Sequence, residues 1–195
     1  MTKQRLEAFS DGVIAILITI MVLELHEPHG AELADLRPLL PKLLSYILSF
    51  IYLGIYWNNH HHMLHATRHV SGGVLWANLH LLFWLSLVPF MTSWVGENHA
   101  AAWPTAIYGI VLFFSAVAYT ILQTVIIRVD GNESLLARAV ASDRKGKISL
   151  LLYAAAVGLS FVQPWIADLL YVAVAMIWLV PDRRIESRLQ TQPAD

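Results

Sequence analysis

No cysteine occurs in the 195 residues, so disulfide frameworks, thiolate zinc sites and cysteine nucleophiles are excluded. Charge is scarce too. Asp, Glu, Lys and Arg make up 14% of the chain, against about 25% in a typical soluble domain, which is too little to cover a globule of this size. The formal net charge of −1 gives neither the basic footprint of a nucleic-acid binder nor a strongly acidic steering surface. His-Glu-x-x-His, a Gly-x-Ser-x-Gly elbow and paired in-membrane carboxylates are all missing, which leaves an intramembrane hydrolase without its machinery. What is plentiful is apolar: 57% of residues are hydrophobic. That balance belongs to an integral membrane protein, all-α by the length of its apolar runs.

A transmembrane helix needs about 20 largely apolar residues, and six stretches approach or meet this. They cover roughly residues 9–25, 43–57, 70–95, 101–127, 148–163 and 166–180. Gln163-Pro164 separates the last two, because proline disfavours helix continuation and marks a tight reversal. Pro89 interrupts the third and predicts a kink there, with Ser86 placed to satisfy a freed carbonyl. No low-complexity linker or long polar insert suggests a second domain, so residues 1–195 read as one six-helix transmembrane unit. The run after Lys3 and Arg5 ends in Leu23-Glu24-Leu25-His26-Glu27-Pro28 without a small-residue cleavage pattern, so it reads as a retained helix and not a signal peptide.

Basic residues concentrate in cytoplasmic loops, and six spans with both termini inside place Lys3, Arg5, Arg68, Arg128, Arg138, Arg144, Lys145, Lys147, Arg183, Arg184 and Arg188 on that side. Only Arg37 and Lys42 fall outside. Five or seven spans would put the loop Arg128 to Lys147 and the basic tail on opposite sides. The expected location is therefore the plasma membrane, multi-pass, with cytoplasmic termini.

Polar groups stand where the first helix should enter hydrocarbon, in Arg5-Leu6-Glu7-Ala8-Phe9-Ser10-Asp11. Ionisable groups at such depth tend to face the bundle interior with a partner, although Ser10 and Asp11 also suit a simple helix cap. At about 100° per residue, Phe9, Ile16, Thr19, Ile20 and Leu23 share one stripe and Asp11 points well away from it. In a lone helix such a stripe is packing surface. Repeated around an axis, it makes rings of branched apolar side chains that can gate by dewetting.

These residues also carry a resemblance. Arg5, Phe9-Ser10-Asp11, Ala15-Ile16, Thr19 and Leu23-Glu24 resemble the first-helix signature of the transmembrane protein 175 potassium channels. Trp57-Asn58-Asn59-His60-His61, Trp76-Ala77-Asn78-Leu79, Phe83-Trp84-Leu85-Ser86-Leu87-Val88-Pro89-Phe90 and Gly96-Glu97-Asn98 are similar to that family's bacterial members. The likeness is motif-specific over the first three helices and rests on hydropathy and order over the rest. It implies a potassium-selective channel with six helices per subunit, homotetrameric for a single-unit chain, whose first helix lines a central pore without a Thr-Val-Gly-Tyr-Gly filter. Ile16, Ile20 and Leu23 would form the constrictions and Thr19 a hydroxyl selectivity layer. Arg5, Phe9, Ser10 and Asp11 would knit the cytoplasmic end of the first helix to the second and third. The implied ligands are lipid and permeant K⁺, with no resident cofactor or metal and no catalytic activity.

Five histidines crowd into His60, His61, His62, His65 and His69. On one helix His61, His65 and His69 would share a face at metal-ligand spacing, but no acid between Asn58 and His80 completes a set, and a structural role reads better. Asn58, His61, Trp76, Asn78 and His80 form a candidate polar network able to supply donors and acceptors to Ser10 and Asp11. Tryptophans near span ends, Trp57, Trp94, Trp103 and Trp165, read as interfacial anchors. The competing function is a proton-coupled transporter or proton-permeable channel using Asp11 and the membrane histidines. Against it, there is no internal repeat, and Asp168 is the one in-span acid of the last three helices.

Overall fold

The computed structural model describes residues 2–28, 30–140 and 143–179; Arg183, Arg184 and Arg188 of the basic tail, and the last residue of the 166–180 stretch, lie outside them. Every regular element among the described residues is helical. Helix α1, Lys3–Ile20, starts at Thr2, whose hydroxyl accepts the Arg5 N–H, and continues into a 3-10 turn over Met21–Glu24. A 3-10 segment, Leu33–Leu39, leads into α2, Leu40–Ala66, with Pro41 in its first turn, where no N–H is needed. Helix α3, Gly72–Ser86, is capped by the Ser71 hydroxyl, and α4 follows over Val88–Glu97.

The break between α3 and α4 falls at Leu87, two residues before Pro89. Proline removes the N–H that would bond to Leu85 and crowds the preceding turn. Leu87 N–H is shared between Trp84 O and Leu85 O, so the freed Leu85 carbonyl keeps a donor, and Ser86 Oγ donates to Phe83 O at 2.7 Å. Helix α5, Ala102–Asp130, stops at Gly131, whose φ of 92° is a conformation L side chains rarely adopt. A short α6, Leu135–Val140, precedes α7, Arg144–Leu159, and α8, Pro164–Leu179, which starts on its proline after a tight turn over Ser160–Gln163.

Boundaries differ from hydropathy most in α2. The 43–57 stretch extends at its C-terminal end through Asn58-Asn59-His60-His61-His62-Met63-Leu64-His65-Ala66, which are polar but helix-permissive and contribute buried His60, Met63 and Leu64. The 148–163 stretch begins and ends earlier, as α7, because Asp143 caps it at Gly146 N–H and Ser160 turns the chain.

Side-chain ties show which helix ends meet. Arg68 and His69 donate backbone N–H groups to Asp130, 2.8 and 3.0 Å, and Lys3 Nζ donates to His65 O, so the α1 start, the α2–α3 connection and the α5 end share one pole. At the other, Lys42 pairs with Glu97 at 3.1 Å and Ser93 Oγ donates to Glu24 at 3.0 Å. Helix α5 packs on α3, α4, α7 and α8, and α2 on α1, α4 and α8. Within this core a hydroxyl chain ties three helices. Thr92 Oγ1 lies 2.7 Å from Val88 O and donates to Ser49 Oγ at 2.6 Å, and the Ser49 and Tyr108 hydroxyls meet at 3.0 Å.

Four helical stretches are long and apolar enough to cross a bilayer: Lys3–Glu24, Leu33–Ala66, Gly72–Glu97 and Ala102–Asp130; Pro164–Leu179 is apolar but shorter. Large apolar side chains such as Trp76, Phe83, Phe90 and Leu151 stand exposed around the bundle, an arrangement water would not tolerate and lipid or another subunit would.

Candidate functional site

Helix α1 has two faces. Leu6, Ser10, Ile14, Leu17 and Met21, spaced by three or four residues, are buried against α2, α3 and α4. The opposite side, Phe9, Gly12, Ile16, Thr19, Ile20 and Leu23, touches little: Ile16 is 59% and Leu23 73% exposed. Thr19 Oγ1 lies 3.0 Å from both Ala15 O and Ile16 O and donates its proton back into its own helix. Its lone pairs therefore face outward, on the same stripe as the isoleucines.

The buried side carries an anchor whose hydrogen bonds run one way. Ser10 Oγ donates to Leu6 O at 2.9 Å, leaving only acceptor capacity on that oxygen toward the next partner. Asn78 of α3 must then donate through Nδ2, at 2.9 Å, which turns its carbonyl toward His60 of α2; His60 Nε2 donates to that oxygen at 2.7 Å. All three side chains are buried. Beside them Trp57 Nε1, a donor only, reaches Asp11 Oδ1 at 3.0 Å. The start of α1 is thus fastened to α2 by His60 (through Asn78), Trp57 and the Lys3–His65 carbonyl bond, and to α3 by Asn78.

Of the residues singled out from sequence, Ser10, Asp11 and Asn78 are brought into this anchor. Phe9 is on the exposed stripe, and the Arg5 side chain is exposed with no hydrogen bond or ion pair among the described residues. Asn58 lies half-buried on α2, and Trp76 is exposed at 75%. His80 accepts from Trp84 Nε1 at 3.0 Å, one turn along α3. His61 stacks between Trp57 and His65, with ring centroids 6.2 Å from each. Helix α2 ends at Ala66, so His69 cannot continue a His61, His65, His69 stripe; it sits in the connection, its ring 3.1 Å from Asp130. That acid comes from α5, too far along the chain for local spacing to show. Among the described residues no group of three or more His, Cys, Asp or Glu is arranged to hold a metal.

Two members of the anchor escape a reading by motif. His60 follows Ser49, Leu53 and Tyr56 on the buried face of α2, at steps of four, three and four residues, and that helical phase selects it over His61. Trp57 looks like an interfacial anchor because its indole N–H partner lies 46 residues away.

A family profile described as the endosomal/lysosomal potassium channel TMEM175 matches residues 5–89, from the start of α1 to Pro89. A Chryseobacterium protein named as a potassium channel is 57% identical over 190 residues, covering 97% of this chain and 99% of its own length. The human endosomal/lysosomal proton channel TMEM175 is 36% identical over 84 residues, covering 35% of this chain and 17% of the human protein. The crystal structure of a lysosomal potassium-selective channel TMEM175 homologue from Chamaesiphon minutus superposes with a TM-score of 0.81 at 25% identity, covering 92% of this chain and 97% of that one. With a full-length relative at this identity and the same fold, the chain belongs to the TMEM175 family of multi-pass membrane proteins.

Proposed function

We propose that this protein is a potassium-selective channel that conducts passively through a central pore in a homotetramer. Each subunit contributes six spans, α1, α2, the broken pair α3–α4, α5, α7 and α8, with both termini in the cytoplasm of a plasma-membrane protein. The observation that carries this reading is the unpartnered stripe of α1. A face made of Ile16, Thr19, Ile20 and Leu23, left bare while the opposite face is fixed to α2 and α3, suits a helix that meets its symmetry mates around an axis. The Chryseobacterium and Chamaesiphon relatives, both named as potassium channels, support the ion. Helices α7 and α8 have 16 residues each, about 24 Å, short of the roughly 30 Å hydrocarbon core; Lys145 and Trp178 near one end and Trp165 near the other suit anchoring across a locally thinned bilayer.

In this arrangement Ile16, Ile20 and Leu23 form successive apolar rings that hold the pore near dewetting. Thr19, donating its proton inward, offers four oxygens to a partly dehydrated cation between them. The protein's part is selection and gating, with no bond made or broken. Flux through protein reconstituted in liposomes tests it: Ile16→Asn wets the first ring and raises conductance, and Thr19→Val lowers the preference for K⁺ over Na⁺. Unchanged conductance and selectivity in Ile16→Ala and Ile16→Asn overturn the pore assignment.

One observation favours a second reading. The human relative is named a proton channel, and the family profile spans residues 5–89, which hold Asp11 and His60 to His80. A pH-sensitive dye inside the same liposomes decides it: proton entry that falls in Asp11→Asn relative to the K⁺ flux of the same vesicles favours proton conduction, and entry that keeps that ratio counts against it.

A further inference from the structure

His61 and His65 occupy positions i and i+4 on the exposed side of α2, one turn from its end. Their rings lie nearly parallel, 18° apart, with centroids separated by 6.2 Å. Neither imidazole makes a hydrogen bond among the described residues. Two histidines at this spacing on one helix face are the arrangement by which helices present imidazole pairs to zinc. A metal taking both nitrogens at about 2.1 Å needs them roughly 3.0–3.4 Å apart, so binding turns and tilts the two rings toward each other.

The neighbours suit a cation. Lys3, Glu7 and Asp11 recur every four residues on α1, as Trp57, His61 and His65 do on α2, and the two rows run antiparallel: Lys3 reaches the His65 carbonyl and Asp11 receives the Trp57 N–H. Glu7 therefore falls at the level of His61. Its Oε1 is buried with no hydrogen-bond partner and lies 4.0 Å from Lys3 Nζ, so a carboxylate offsets the ammonium that would repel a dication.

We propose that His61 and His65 form a two-imidazole site for a borderline divalent transition metal, with Cu²⁺ bound most tightly, then Ni²⁺ and Zn²⁺, and water filling the remaining positions. Neutral imidazole selects these ions over Mg²⁺ and Ca²⁺, and the order among them follows ligand-field preference. The His62 ring also lies near His61, 5.6 Å between centroids, but edge-on at 67° and not stacked, and His69 is committed to Asp130.

The test is Cu²⁺ titration of the purified full-length protein in detergent, read by the nitrogen hyperfine pattern of the bound ion and by quenching of Trp57, whose ring stacks on His61. The expected result is one tight ion per chain in the micromolar range. Removing an inner ligand costs more than the roughly tenfold to hundredfold loss seen for outer-shell partners, so His61→Ala and His65→Ala abolish that ion, while His62→Ala and His69→Ala retain it. Both target side chains are exposed, and an unchanged size-exclusion profile identifies folded variants. Glu7→Gln weakens the site without removing the two-nitrogen signature. No binding in this range, or binding that survives in both His61→Ala and His65→Ala, overturns the proposal. The readout is independent of ion conduction.

Discussion

At the scale of single residues, direction decides what a polar contact is worth. In the chain His60, Asn78, Ser10, Leu6 O, each group donates onward. Removing the middle strands the one upstream: Asn78→Leu leaves the His60 N–H buried without an acceptor, while Ser10 keeps its bond to Leu6 O. An unsatisfied buried donor costs about 1–3 kcal/mol. Asn78→Leu is therefore expected to lower stability by that amount in thermal melts of the detergent-solubilised protein, and His60→Leu added to it by clearly less than its effect alone, a non-additivity that a double-mutant cycle measures. Equal, additive losses would mean the two side chains act separately. The sequence makes Ser10 and Asp11 conspicuous because they are polar at the edge of an apolar run, and Asn78 because it stands inside one. It does not distinguish His60 from His61, since adjacent histidines differ only in which helix face they occupy, and that phase is set by burial of Tyr56, Leu53 and Ser49, about one to three turns away.

Among the elements, the hydroxyls of Tyr108, Ser49 and Thr92 join α5, α2 and α4. Ser49 stands between the other two, so Ser49→Ala removes both of its bonds and is expected to cost about 1–3 kcal/mol, more than Tyr108→Phe, which removes one, measured by the same melts; equal losses would show that the Thr92 bond to Ser49 contributes nothing. A different constraint fixes where α4 meets α2. A Cβ on Gly96 would lie 3.0 Å from Lys42 Cα, a backbone atom that cannot swing aside. Gly96→Val is thus expected to destabilise by about 1–3 kcal/mol through overpacking, and a melt unchanged from wild type would show that the crossing has slack. Such close approaches leave no trace in hydropathy, which locates the apolar middle of each span. The kink at Pro89 and the turn at Pro164 are legible because proline's missing N–H acts locally. The long polar end of α2 is not, because its helix is held by packing and not by apolarity.

Over the whole molecule, apolar content serves two purposes: part of it packs the bundle, and the rest stands exposed toward lipid and, in the proposed assembly, toward neighbouring subunits and the ion path. A sequence can count those residues but cannot divide them, because α1 in isolation has no axis to face. Its division follows from the anchor, which fixes the rotation of α1 about its own axis and so decides that Ile16, Thr19 and Ile20 point away from α2 and α3. If four such helices meet at a pore, loosening the anchor frees their rotation and weakens the symmetric contact before it alters the chemistry of any ring. The Trp57 to Asp11 bond is charge-assisted, roughly twice as strong as a neutral one. Asp11→Asn keeps an acceptor but loses the charge, and Trp57→Phe keeps the ring but loses the donor. Both are expected to shift the purified protein from tetramer toward smaller species in light scattering coupled to size exclusion, Trp57→Phe more than Asp11→Asn. In the tetramers that survive, the K⁺ over Na⁺ preference should remain that of wild type. Stable tetramers with altered preference would place Asp11 in the ion path and not in the anchor.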